Sequence, residues 1–176
     1  MTTAAVVRLL RLHVAADGRE EADRCAMLRL AEELADPLSR DEGSAHFTAS
    51  AFVIDADCER VCLVEHVKLG RLLQPGGHVE ATDESLEAAA LREAREETAL
   101  ELELHATAPR PFDLDIHRIP DRPGEPAHWH LDVRYLVVGR GEPCGGAAWH
   151  VLGEAGDESV GRLAAKVVAL RIRATE

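Results

Sequence analysis

Aromatic side chains are scarce, with two Trp, one Tyr and three Phe among 176 residues. Platforms for stacking bases along a single strand are therefore few. Positive charge is also in short supply: 20 Lys and Arg face 32 Asp and Glu, a formal net charge of −12. A surface of that sign repels phosphate backbones and anionic lipids, which argues against general nucleic-acid or membrane-surface binding unless a local patch or a metal ion reverses it. No apolar run approaches the ~20 residues needed to cross a bilayer. Residues 4 to 14 are interrupted by Arg8, Arg11 and His13, so they read as neither signal peptide nor anchor. The four cysteines, Cys25, Cys58, Cys62 and Cys144, form no CxxC pair, which predicts reduced thiols in a cytoplasmic protein. What remains, 46% hydrophobic and 30% charged, is the composition of an ordinary globular chain.

Periodicity gives a mixed order of elements. Met27, Leu30, Ala31 and Leu34 recur at helical spacing among glutamates, predicting a helix over residues 19 to 35 that stops at Asp36-Pro37. Residues 47 to 54 and 60 to 64 flank Asp55-Ala56-Asp57 as a hairpin. Residues 66 to 77 read as a loop ending in Pro75-Gly76-Gly77. Residues 83 to 99, rich in Glu, Ala, Leu and Arg without Gly or Pro, form a helix. Strands follow at 101 to 105, 112 to 119 and 128 to 138, then a short apolar run at 147 to 152 and a helix over 158 to 172. This order predicts a mixed sheet covered by helices on its faces.

The helix at 83 to 99 carries the chemistry. At about 100° per residue, Glu93, Glu96 and Glu97 fall within an arc of roughly 100°. Like charges at this spacing repel by a few tenths of a kcal/mol each, and the negative end of the helix dipole adds to the cost. A divalent cation turns that cost into affinity, and an all-oxygen donor set suits Mg²⁺ or Mn²⁺ better than zinc. The plainer alternative is a solvated face laced with Arg92 and Arg95.

Spacing narrows the choice. Gly77-x6-Glu84-x7-Arg92-Glu93-Ala94-Arg95-Glu96-Glu97-Thr98-Ala99-Leu100 resembles the Nudix box, G-x5-E-x7-R-E-U-x-E-E-x-G-U with U apolar. It departs from that form in one extra residue between Gly77 and Glu84 and in Ala99 where the family has glycine. The resemblance implies an α/β/α Nudix sandwich with a mixed sheet flanked by helices over residues 41 to 176. Residues 1 to 40 lie outside the resemblance and read as an N-terminal helical extension, serving as a lid or as a homodimer surface. By motif position it also implies Glu96 and Glu97 as metal ligands and Glu93 as a further ligand or the general base. The Gly77 carbonyl would be an added ligand, and Arg92 would orient Glu93 while pairing with Glu84. The implied activity is Mg²⁺-dependent hydrolysis of a diphosphate linkage in a nucleoside diphosphate joined to another moiety, with Mn²⁺ as a substitute. The alternative is a catalytically silent Nudix-fold sensor of a nucleotide. No substrate signature of the family is matched.

A second polar stripe accompanies the box. Asp113, Asp115 and His117 share one face of their strand, and His128, His130, Asp132 and Arg134 share one face of the next, opposite Trp129, Leu131, Val133, Tyr135 and Val137 as core. The pattern is similar to DxH…HxHxD in a bacterial Nudix subgroup. It reads either as the wall of a substrate cleft, with His117, His128 and His130 as a second, transition-metal site, or as the solvated face of an edge hairpin. Lys68, Arg71 and His78 are further candidates for phosphate contact. For stacking a base, Phe47, Phe52, Phe112 and Trp149 are the candidates left outside the expected core face.

Overall fold

The alternation in residues 45 to 54 places Phe47, Ala49, Ala51 and Val53 on one face of a strand and His46, Thr48, Ser50 and Phe52 on the other. In the computed structural model, which describes residues 1–66, 70–106, 110–122, 124 and 126–174, that strand, β1 (Ala45–Ile54), is buried along its whole length. Burial on both faces requires a central position. β1 runs parallel to β7 (His128–Arg140) through ten paired positions, from Ala45 opposite Trp129 to Ile54 opposite Val138. Among the described residues the sheet built on this pair has eight strands in all. β2 (Arg60–His66) continues it beyond β1, with β3 (Arg71–Leu73) next, and β5 (Glu101–Leu104) lies beyond β7. β4 (Gly76–His78) pairs with β1, β6 (Asp113–Ile119) with β7, and β8 (Ala147–Val151) with β2.

Helices cover both faces. α3 (Leu86–Thr98) starts at Ser85, whose side chain accepts from the Ala88 N–H, and buries Leu86, Ala89, Ala90 and Ala94. Together with α1 (Thr3–Leu12) and α2 (Gly18–Glu33) it closes a core containing Phe47, Val133, Tyr135, Leu10 and Met27. α4 (Glu158–Ala174) seals the opposite face with Val160, Leu163 and Val167 against Phe52, Ile54 and Leu136. α2 also protects an edge. Glu20 accepts from the Leu114 N–H at 3.1 Å and Asp23 from the Ile116 N–H at 3.3 Å, satisfying outward-facing donors of β6.

Three expectations change. The segment 66 to 77 includes β3 and β4; at three residues each they show no alternation and exist because longer neighbours supply their hydrogen bonds. Trp129 is 46% exposed rather than core, because it lies at the open end of β7. Phe47 and Phe52 are fully buried, so neither can stack on a ligand.

Candidate active site

The box helix and β4 are held together by two glycines. A Cβ on Gly76 would lie 2.5 Å from Ser50 Oγ and 2.7 Å from its Cα, and one on Gly77 would lie 2.6–2.7 Å from the Glu93 carboxylate. Only a residue without a side chain lets β4 press this closely on β1 and α3. The Gly76 N–H then donates to Glu97 Oε2 at 3.1 Å. Burial raises the Glu97 carboxyl above its ordinary value; the Gly76 hydrogen bond opposes this, and the charges of Glu93 and Glu96 add to it. Glu96 is the exposed member of the trio.

Arg92 ties the cluster to the loop before it. It donates to Glu93 Oε1 at 2.9 Å and to the His78 carbonyl at 3.0 Å. Its bidentate partner, however, is Asp83, at 3.1 and 3.0 Å, and not Glu84. Asp83 is buried and also accepts from the Glu80 N–H at 2.8 Å, which closes the turn ahead of the helix. Glu84 points to solvent with no ion pair or hydrogen bond among the described residues. The extra residue of the box is thus absorbed C-terminal to the carboxylate that meets Arg92. Ala99, where the family has glycine, adopts the left-handed conformation at φ 56° and ψ 19°.

The second stripe is a ladder across three strands. Register sets His46 opposite His130 and His130 opposite His117. On the next rung Thr48 stands opposite Asp132, which faces Asp115, and beyond it Ser50 opposes Arg134, which faces Asp113. His78 joins from β4, paired with Thr48. Five imidazoles, those of His46, His78, His117, His128 and His130, gather with ring centroids 5.0–5.4 Å apart in the contacting pairs. Burial, followed by the charges of the other four rings, pushes His130 down to about 2, so the ring is neutral. The three whose ligand atoms all lie within 4.8 Å of one another are His46, His78 and His130. The expected trio of His117, His128 and His130 does lie together, with His130 in contact with both other rings, while the group of converging ligand atoms shares only His130 with it. His46 was missed, although its alternation with Thr48 and Ser50 is visible in the sequence.

Asp132 and Arg134 do not line a cleft. Both are buried, and Arg134 donates to Asp132 at 2.8 Å, Asp115 at 2.7 Å and Ser159 of α4 at 2.7 Å. Asp132 accepts from Thr48 at 3.0 Å and Ser50 at 2.8 Å. Lys166 and Arg162 of α4 and Arg19 of α2 extend this network to Asp113 and Asp115. The stripe reads as solvated or cleft-lining in the sequence because its counter-charges come from helices distant in the chain. A cleft of about 730 Å³ does open beside it, lined by Arg19, Arg71, His117, Asp157, Ser159 and Arg162. Arg71 is exposed there, 3.7 Å from Asp157. Lys68 lies outside the described residues.

The sequence model of the NUDIX domain matches residues 45–159. The chain belongs to the Nudix hydrolase family. Its mixed sheet with helices on both faces is the Nudix fold that the box implied. Among solved structures it resembles a NUDIX-family hydrolase from Clostridium perfringens at 26% identity and a TM-score of 0.53, over 72% of this chain and 97% of that one. It resembles a C. elegans Ap4A hydrolase at 17% identity and a TM-score of 0.51, over 71% and 97%. A UDP-X diphosphatase aligns over 97% of both chains at 14% identity and a TM-score of 0.50. No curated protein matches the chain. Among the described residues no helix of this Nudix protein is long and apolar enough to cross a membrane.

Proposed function

We propose that this Nudix hydrolase is a Mg²⁺-dependent pyrophosphohydrolase acting on a nucleoside diphosphate linked to another moiety. The observation that carries the reading is the convergence of Glu93 and Glu97 on a backbone cradle that a single Cβ at Gly77 would fill. The donor set fits a hard divalent cation. It consists of the three carboxylates on one helix face, with burial and then the charges of Glu93 and Glu96 raising Glu97. Glu96, Glu97 and the Gly77 carbonyl would hold Mg²⁺, or Mn²⁺ in its place, with Glu93 beside them as the base. The ion would neutralise the diphosphate and polarise the scissile phosphorus–oxygen bond.

The chain's own groups do the rest. Arg92, fixed by Asp83, holds Glu93 in place through its 2.9 Å hydrogen bond, and Glu93 takes the proton of the attacking water. With a net charge of −12, the protein attracts a polyanionic substrate only where cationic side chains cluster. The cleft lined by Arg19, Arg71 and Arg162 offers such groups, each of them paired there with Asp115 or Asp157. It connects to the box through His117, His130 and His78, the residue after Gly77. Residues 41 to 176 form the catalytic domain in this reading, with 1 to 40 as a helical extension that contributes Arg19. The four free cysteines accord with a cytoplasmic location.

The test is formation of nucleoside monophosphate and the phosphorylated second moiety from a mixed panel of nucleoside diphosphate derivatives, with and without Mg²⁺, by the wild type and Glu97→Gln. Mg²⁺-dependent turnover that the variant loses by at least about 100-fold supports the reading. Nucleotide binding without turnover would make the protein a sensor, and full activity in Glu97→Gln would end the assignment of this carboxylate.

A further inference from the structure

The carboxylate chemistry leaves the histidine cluster without a task. Solubility does not explain it, since His46 and His128 are buried and His78 and His130 half-buried. We propose that His46, His78 and His130 form a site for a borderline divalent cation of the zinc class, with His128 as the neighbouring imidazole able to fill the fourth position.

Three observations converge on this. The ligand atoms of His46, His78 and His130 already lie within 4.8 Å of one another on three strands whose register is set by backbone pairing, so only small side-chain adjustments bring them onto one ion. His128 Nε2 stands 3.2 Å from His130 Nε2, close to the roughly 3.4 Å edge of a tetrahedron with metal–nitrogen bonds of about 2.0–2.1 Å. The outer nitrogens of the cluster are also held by oxygen acceptors. His46 Nδ1 donates to the Glu42 carbonyl at 3.3 Å, and His128 Nδ1 to the Pro126 carbonyl at 2.8 Å. A carbonyl can only accept, so in each neutral ring the proton sits on Nδ1 and the lone pair on Nε2, the inward nitrogen. His117 Nδ1 faces Asp115 Oδ2 at 3.0 Å in the same manner. Fixing ring orientation and tautomer through the distal nitrogen is how proteins prepare imidazoles for a metal.

The donor types separate this site from the box. Imidazole nitrogens favour zinc-class ions, and carboxylate oxygens favour Mg²⁺. The two sites are nonetheless joined, because His78 follows Gly77 on β4. A cation on His46, His78 and His130 would clamp β4 to β1 and β7, and with it the glycines that cradle Glu93 and Glu97.

The test uses the full chain, stripped with chelator and titrated with Co²⁺ in Mg²⁺-free buffer as a visible stand-in for zinc. The expected result is one equivalent of cobalt with the strong visible absorption of a four- or five-coordinate ion, apart from any weakly absorbing cobalt on the box carboxylates, and its displacement by one equivalent of Zn²⁺. His130→Asn should weaken binding more than about 100-fold, since loss of even a ligand's hydrogen-bond partner costs 10–100-fold. His78→Asn, on a half-buried position of a three-residue strand, carries the same expectation should His130→Asn fail to fold. Glu97→Gln should keep the absorption unchanged. The proposal is overturned if the wild type gives no such absorption, if it survives in the folded histidine variants, or if it disappears in Glu97→Gln, which would place the ion on the carboxylates. Loss of Mg²⁺-dependent turnover in Glu97→Gln concerns the box alone, so the two readings fail separately.

Discussion

Asp83 and Glu84 are adjacent carboxylates, and only one of them holds the box arginine. Asp83→Ala removes the acceptor of two Arg92 hydrogen bonds at 3.1 and 3.0 Å and of the Glu80 N–H at 2.8 Å. Breaking a buried ion pair costs about 3–5 kcal/mol. Here the Arg92 side chain is 20% exposed and keeps Glu93 and the His78 carbonyl, so the expected loss is smaller, about 2–3 kcal/mol. For a chain of this size that corresponds to a fall in Tm of roughly 5–10 °C. Glu84→Ala removes an exposed side chain without a partner and should stay within about 0.5 kcal/mol. Urea titrations of both variants at neutral pH, with thermal melts alongside, give the comparison directly. Equal losses, or a larger loss for Glu84→Ala, would refute the reasoning and return the pairing to Glu84.

Three further outcomes follow from the geometry. Ala99→Gly relieves a left-handed alanine at an exposed helix end; the strain of about 1–2 kcal/mol outweighs the added glycine entropy, so stability should rise by about 0.5–1 kcal/mol in a denaturant titration. Gly77→Ala places a Cβ within 2.7 Å of both Glu93 oxygens. Glu93, at the end of a flexible side chain, should swing aside with a stability loss of about 1 kcal/mol but a fall in kcat of about 100-fold. Glu20 is buried, which raises its carboxyl, yet hydrogen bonds from His13, Lys166 and the Ala16 N–H outweigh burial and bring it from 4.5 down to about 2. Because its folded value lies below the unfolded one, its contribution is present above about pH 5 and lost as pH falls to about 2, up to about 3 kcal/mol. Glu20→Gln should flatten that part of the stability–pH curve.

The box was readable because its information is local: helical periodicity puts three glutamates on one arc, and two consecutive glycines announce a close backbone approach. The partner of Arg92 was misassigned because motif spacing counts residues, whereas the turn closed by Asp83 and the Glu80 N–H decides which carboxylate faces the arginine. The histidine cluster depends on the parallel register of β1 with β7, which brings together residues 84 apart in the chain and has no trace in local periodicity. Arg134 and Asp132 alternate like solvated residues, but Ser159 of α4 and Thr48 and Ser50 of β1 satisfy them in the interior.

The most direct measurement is calorimetric titration of the chelator-stripped chain with Mg²⁺ and Mn²⁺, for the wild type and Glu97→Gln, at two pH values. Uptake by the wild type that weakens on acidification, as the raised Glu97 carboxyl takes up its proton, and that is lost in the variant, is the predicted result. Undiminished uptake by the variant, or none by the wild type even with a nucleotide present, would contradict it.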